Sequence, residues 1–194
     1  MPNIAAFVSY ILITTFTPGP NNLMSMANAS KFGLKKSIKF NFGVFTGFFV
    51  ILFLSNVFSS TLYRIIPAIQ PVMTFVGASY ILYLAYKIFS SKPKNDGESA
   101  SRTIKFTTGL LLQFVNIKGI VYALTTSSTF ITPYFDSIGV YFGFALLLAT
   151  IALISTVSWG LFGSLLQKFL SEYHKLVNTV MALLLVYTAI TIVM

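Results

Sequence analysis

Thr17-Pro18-Gly19-Pro20-Asn21-Asn22-Leu23 is the stretch that decides how this chain folds. It lies within an apolar run from Ile4 to Ala29 that is otherwise long enough to cross a bilayer as one helix. Two prolines within three residues each remove a backbone N–H and crowd the preceding turn, and the glycine between them has no helical preference. A continuous helix cannot pass through. A break inside hydrocarbon strands carbonyl and N–H groups and is tolerated only where other protein or a water-filled cavity surrounds it. The break is therefore expected to form one wall of a site.

Composition sets the class. The chain of 194 residues is 56% hydrophobic and 9% charged, with a mean hydropathy of +0.82, against about 25% charge in an ordinary soluble domain. It reads as an all-α integral membrane protein made of a single transmembrane domain, residues 1–194. The absence of cysteine excludes disulfides, thiolate metal sites and CxxC redox chemistry. The single histidine, His174, lies in a polar stretch, so neither a Ser-His-Asp arrangement nor a histidine metal site fits within hydrocarbon. A net charge of +9 reads as topology signal and lipid-headgroup contact rather than nucleic-acid binding, because no folded polar domain displays it.

Six crossings are expected. Met1 to Thr17 lacks the basic start and cleavage site of a signal peptide, so it reads as the first part of helix 1, whose second part runs from about Leu23 to Ser30. Lys31, Lys35, Lys36 and Lys39 form a basic connection to helix 2, from about Ile38 to Ser60, with Gly43 and Gly47 in GxxxG spacing. Pro67 suits the first turn of helix 3, which runs to about Phe89. A polar loop over about residues 90–106 joins two halves, residues 1–89 and 107–194. Helix 4 spans about Thr107 to Ile131, helix 5 begins near Ser137 and continues past Trp159, and helix 6 runs from about Leu176 to Ile192. Trp159 reads as a headgroup-level residue, and Gly139 and Gly143 give a second GxxxG.

Eleven of the thirteen Lys and Arg residues fall in the connections 1–2, 3–4 and 5–6, whereas Arg64 stands alone in connection 2–3. That bias places the three basic connections in the cytoplasm and both termini outside. The same map exposes a repeat: Asn21 or Asn22 to Asn116 is an offset of 95 or 94, and Gly43/Gly47 recurs as Gly139/Gly143 at an offset of 96. With three helices per half the second copy inserts upside down, the inverted repeat of many secondary transporters, whose discontinuous helices meet near the midplane. Helix 1 is discontinuous on this reading, and helix 4 is the candidate for a second break.

The polar residues inside the runs are few. Pro18, Gly19, Pro20, Asn21 and Asn22 read as the start of a half-helix whose N–H groups point at an anionic group; the plainer reading is a kink that binds nothing. Lys118 lies about eleven residues from either end of helix 4, some ~15 Å from headgroups at helical rise, and no Asp or Glu occurs in any of the six runs. It must be deprotonated, sit in a wet cavity, meet a negative charge brought by a ligand, or hydrogen-bond to carbonyls freed by a break near Asn116. Gln113 and Asn116, three residues apart, share a face that either lines a cavity or ties helices together. Asn41 and Asn56 allow the same two readings. Tyr80, Tyr83 and Tyr86 form a stripe that reads as packing or an interfacial belt, with Tyr80 a candidate for facing the route. No nucleophile with a base and an orienting group is present, which argues against an enzyme, and intramembrane carboxylates for a divalent metal are missing.

At these residues a family becomes recognisable. The run Thr17 to Leu23, followed by Gly33 and the Gly43/Gly47 helix, resembles the N-terminal signature of the LysE/RhtB family of amino-acid exporters. Ala78-Ser79-Tyr80-Ile81-Leu82-Tyr83-Leu84-Ala85-Tyr86-Lys87 is similar to the end of that family's third helix, and Asn116-Ile117-Lys118 stands where the family usually has Asn-Pro-Lys. The resemblance implies export of amino acids or close derivatives across the bacterial inner membrane, driven by the proton-motive force and without a cofactor. The expected site joins Pro18, Gly19, Pro20, Asn21 and Asn22 to Gln113, Asn116 and Lys118, with Tyr80 nearby. The expected partners are an amino acid, protons and membrane lipids; a homo-oligomer is compatible with the sequence. A non-transporting scaffold that assembles through its GxxxG faces is the alternative.

Overall fold

A computed structural model of the chain describes residues 3–90, 105–166 and 172–193. The polar stretch 91–104 and the segment 167–171, which includes Lys168, lie outside the described residues, as do the side chains of Arg64, Pro67 and His174. All regular structure among the described residues is helical.

The first helix, α1 (Ile4–Phe16), starts at Asn3, whose side chain accepts the Ala6 N–H at 2.9 Å. It ends because Pro18 pushes Thr17 into extended backbone, ψ 144°. Gly19 is extended, and Pro20 takes the first position of α2 (Pro20–Phe32), where its missing N–H costs no helical bond. The second half of the broken helix thus starts three residues before the expected Leu23. At the far end of α2 the chain turns on Gly33 alone, with φ 85°, a conformation that favours glycine. Helix α3 (Leu34–Val57) follows at once. The lysines at 31, 35, 36 and 39 therefore lie on two helices flanking a one-residue hinge, not in an irregular connection.

Phe58 links α3 to α4 (Ser59–Phe89), which starts at the cluster Ser59-Ser60-Thr61, so Pro67 lies within the helix rather than in its first turn. The N-cap of α4 is Phe58, and among the described residues no side chain caps this start. The expected helix 4 is three pieces: α5 (Phe106–Val115), α6 (Ile117–Thr126) and a π-helical turn (Ser127–Ile131). The α5 and α6 axes diverge by 67° at Asn116, so helix 4 is broken without a proline. Helices α7 (Ile138–Leu165) and α8 (His174–Val193) complete the chain close to the expected bounds. By length and composition α3 and α7 each suffice to cross a membrane, and the bent α5–α6 pair adds a third candidate if the pair counts as one span.

Two apolar clusters hold the helices. Leu23, Phe40, Val44, Ile81, Leu112 and Leu185 join α2, α3, α4, α5 and α8. Phe7, Ile11, Phe48, Leu52, Tyr122 and Leu148 join α1, α3, α6 and α7. Gly43 and Gly47 set the crossing of α3 with α5: a Cβ on Gly43 would strike the Phe106 carbonyl, and one on Gly47 would lie 2.6 Å from the Leu110 carbonyl oxygen. Gly109 returns the contact against Phe40. The first GxxxG is thus an intramolecular helix seat. The second differs, since a Cβ on Gly143 would meet nothing within 4 Å. On α7 the close approach is made by Gly160 and Gly163, against Ser25 and Met26 of α2.

Candidate functional site

The site is built around the interruption between α1 and α2. A helix C-terminus leaves carbonyls without helical donors, and here side chains take them one by one. Asn22 Nδ2 donates to the carbonyls of Thr15 and Thr17, each at 3.0 Å. Ser155 Oγ also donates to Thr15 O at 3.0 Å, and Trp159 Nε1 donates to Phe16 O at 3.2 Å. Lys118 Nζ donates to Thr17 O at 3.1 Å and Pro18 O at 3.3 Å. Trp159 therefore ties α7 to the end of α1 instead of serving only as a headgroup anchor.

On the other side of the interruption stands an amide network. Asn21 and Gln113 exchange two hydrogen bonds, Nδ2 to Oε1 and Nε2 to Oδ1, both 3.0 Å. Gln113 Nε2 also donates to Gly109 O, and Asn116 Nδ2 reaches Asn21 Oδ1 at 3.3 Å. Asn116 then accepts the Gly119 N–H through Oδ1, which caps α6. This explains the break at Asn116: its side chain holds the first turn of α6, as a proline would fix φ. Gln113 and Asn116 are buried and Asn21 half-buried, so the network is one in which every amide finds partners.

Thr14, Thr15, Gly19, Pro20, Asn21, Asn22, Phe48, Asn116, Lys118, Gly119, Tyr122, Ala152 and Thr156 line a cavity of about 50 Å³, room for a few water-sized groups. Of the residues expected from sequence, Gly19, Pro20, Asn21, Asn22, Asn116 and Lys118 face it; Pro18 presents its carbonyl to Lys118 and Gln113 holds Asn21 from behind. Tyr80 is elsewhere. It is half-buried on α4 against the Leu23–Leu185 cluster, with its ring 6.1 Å from that of Tyr83. The residues not foreseen are Phe48, Gly119, Tyr122, Thr14, Thr15, Ala152 and Thr156. Tyr122 had a signal, for it lies one turn beyond Lys118 on the same face of α6; its ring stacks on Tyr10 at 5.7 Å.

The electrostatics are bipolar. The starts of α2 and α6 carry N–H groups without helical acceptors and the positive ends of two helix dipoles, and the Lys118 ammonium stands beside them. Lys118 Nζ itself sits on the Thr17 and Pro18 carbonyls just past the end of α1, where the helix dipole leaves partial negative charge. No Asp or Glu is among the lining residues. Among the described residues no cluster of His, Cys, Asp or Glu is placed to hold a metal. Such an arrangement holds donors for an anion and acceptors for a cation side by side.

A family model described as LysE type translocator matches residues 12–194. Proteins named cysteine/O-acetylserine efflux protein, from Escherichia coli (strain K12) and Shigella sonnei (strain Ss046), are each 39% identical over 189 residues, covering 97% of this chain and 96% of theirs. No solved structure matches the chain.

Proposed function

We propose, starting from the premise that this chain belongs to the LysE type translocator family and is a transporter rather than an enzyme, that it exports small neutral amino acids of the cysteine and O-acetylserine type. The observation that carries this reading is the bipolar cavity. A zwitterionic amino acid bears a carboxylate and an ammonium a few atoms apart, and the interruption brings helix N–H groups, Lys118 and the Thr17 and Pro18 carbonyls together beside the cavity. The substrate carboxylate takes Lys118 and the N–H groups at the starts of α2 and α6. Its ammonium then takes the Thr17 and Pro18 carbonyls that Lys118 gives up. Asn21, Asn22, Gln113 and Asn116 orient the two half-helices, their amides being engaged in holding the breaks. The lack of a lining carboxylate disfavours substrates with a cationic side chain, which would desolvate a charge without a partner.

The exporter crosses the bacterial inner membrane six times as two inverted three-helix repeats, with the broken α1–α2 and α5–α6 pairs as equivalent crossings. Both interruptions place an Asn at the new helix start, in keeping with the offset of 95 residues between Asn21 and Asn116. The Lys-rich ends face the cytoplasm, both termini lie outside, and export draws on the proton-motive force. A test is growth of an efflux-deficient bacterium on inhibitory cysteine. Expression of the chain should raise the tolerated concentration and release cysteine or O-acetylserine into the medium, and an uncoupler should stop that release. Unchanged tolerance and release would contradict the reading.

A further inference from the structure

Asn41 of α3 is fully buried, and both its Nδ2 and its Oδ1 lack a hydrogen-bond partner among the described residues. An unpaired donor or acceptor away from water is destabilising, while an apolar side chain of the same shape is neutral or better there. Packing alone therefore gives no reason for a carboxamide at this place.

Its surroundings lead to the cavity. Ser37, one turn before Asn41 on the same face of α3, donates its hydroxyl to the Ser25 carbonyl at 3.2 Å. Ser25 Oγ in turn donates to the Thr156 carbonyl at 2.6 Å, and Thr156 lines the cavity. Gly160 lets α7 close on this seam, for a Cβ there would lie 2.9 Å from Ser25 Oγ. Ser25 and Ser37 thus form a buried polar seam joining α2, α3 and α7, and Asn41, one turn from Ser37 along α3, lies between that seam's lysine-bearing end and the level of the cavity. Along α3, Asn41 lies about 10 Å from Phe48 of the cavity wall, toward those lysines.

We propose that Asn41 is a second substrate contact, on the leg of the route between the cavity and the lysine-bearing end, and that the Ser25–Ser37–Thr156 seam is this leg in its closed form. A carboxamide suits the role because it donates to a carboxylate and accepts from an ammonium, as a zwitterion passing along the seam requires. The inference rests on the exporter reading.

The test uses proteoliposomes loaded with labelled cysteine or O-acetylserine, together with thermal melting of the purified variants. Asn41→Leu should melt at the wild-type temperature or higher and lose at least about tenfold in efflux. Asn41→Gln, which keeps both polar groups one methylene farther out, should retain efflux but change the ratio of cysteine to O-acetylserine rates at least about threefold. Efflux by Asn41→Leu within twofold of wild type, a lowered melting temperature in that variant, or an unchanged ratio in Asn41→Gln would each overturn the inference. Wild-type vesicles that release neither compound would instead contradict the exporter reading itself.

Discussion

Lys118 shows what a single residue contributes and how far its sequence context exposes it. A lysine in the middle of an apolar run with no acid in reach had to be deprotonated, hydrated, met by a ligand's charge or hydrogen-bonded to freed carbonyls, and this much was legible from spacing alone. Which partner was not, because the carbonyls of Thr17 and Pro18 come within reach only when α6 folds back against a segment about a hundred positions earlier. The same holds for Asn21 and Gln113, two amides whose reciprocal pairing spans 92 positions and leaves no local trace. Replacing Gln113 by Leu removes both of those bonds and leaves part of the Asn21 amide unpaired in a half-buried place. That should cost about 1–3 kcal/mol, read as a lower melting temperature, and reduce export as the start of α2 loses its brace. A Gln113→Leu protein that melts and transports like wild type would show the network to be idle.

At the scale of elements, the two interruptions were not equally legible. Pro18 and Pro20 forbid a continuous helix by covalent geometry, whereas nothing covalent interrupts the chain at Asn116, and only its side chain, turned onto the Gly119 N–H, replaces the constraint. Ile117 occupies the first position of α6, where an N–H has no helical acceptor. Ile117→Pro is therefore expected to preserve transport and to raise stability by about 0.4–1 kcal/mol through the unfolded chain, measured by thermal melting alongside efflux. The one-residue hinge at Gly33 and the early start of α4 were missed for the opposite reason. Lysines and prolines read as boundary marks, yet a positive-φ glycine ends α2 and Phe58 alone separates α3 from α4. The two GxxxG motifs look alike in sequence and separate only in three dimensions. Gly47→Leu should drive α5 away from α3 and abolish folded yield, whereas Gly143→Ala, with open space around it, should leave yield and transport unchanged and gain about 0.5–1 kcal/mol of helix stability. Equal loss from both substitutions would contradict the seating of α5 on the first motif.

For the whole molecule, the apolar composition and the placement of charge give the class, and two apolar clusters hold the helices around the polar interruption and its cavity. Six crossings, read from the apolar runs, and two outside termini, read from the lysine and arginine count, are expectations of the sequence that labelling can test. The chain has no native cysteine, so single cysteines can be introduced and labelled without background. Positions 36 and 95 should be protected from an impermeant thiol reagent in intact cells, whereas position 136 should react; the reverse pattern would invert the orientation. The central claim is that the helix interruption and Lys118 together bind a zwitterion for export. Its most direct test is efflux of O-acetylserine from proteoliposomes containing wild-type protein or Lys118→Met, with insertion verified for both. Wild-type vesicles should release the compound, and Lys118→Met, inserted to the same extent, should fall to the rate of protein-free vesicles. Equal release by the two proteins would remove Lys118 from the mechanism and contradict the account.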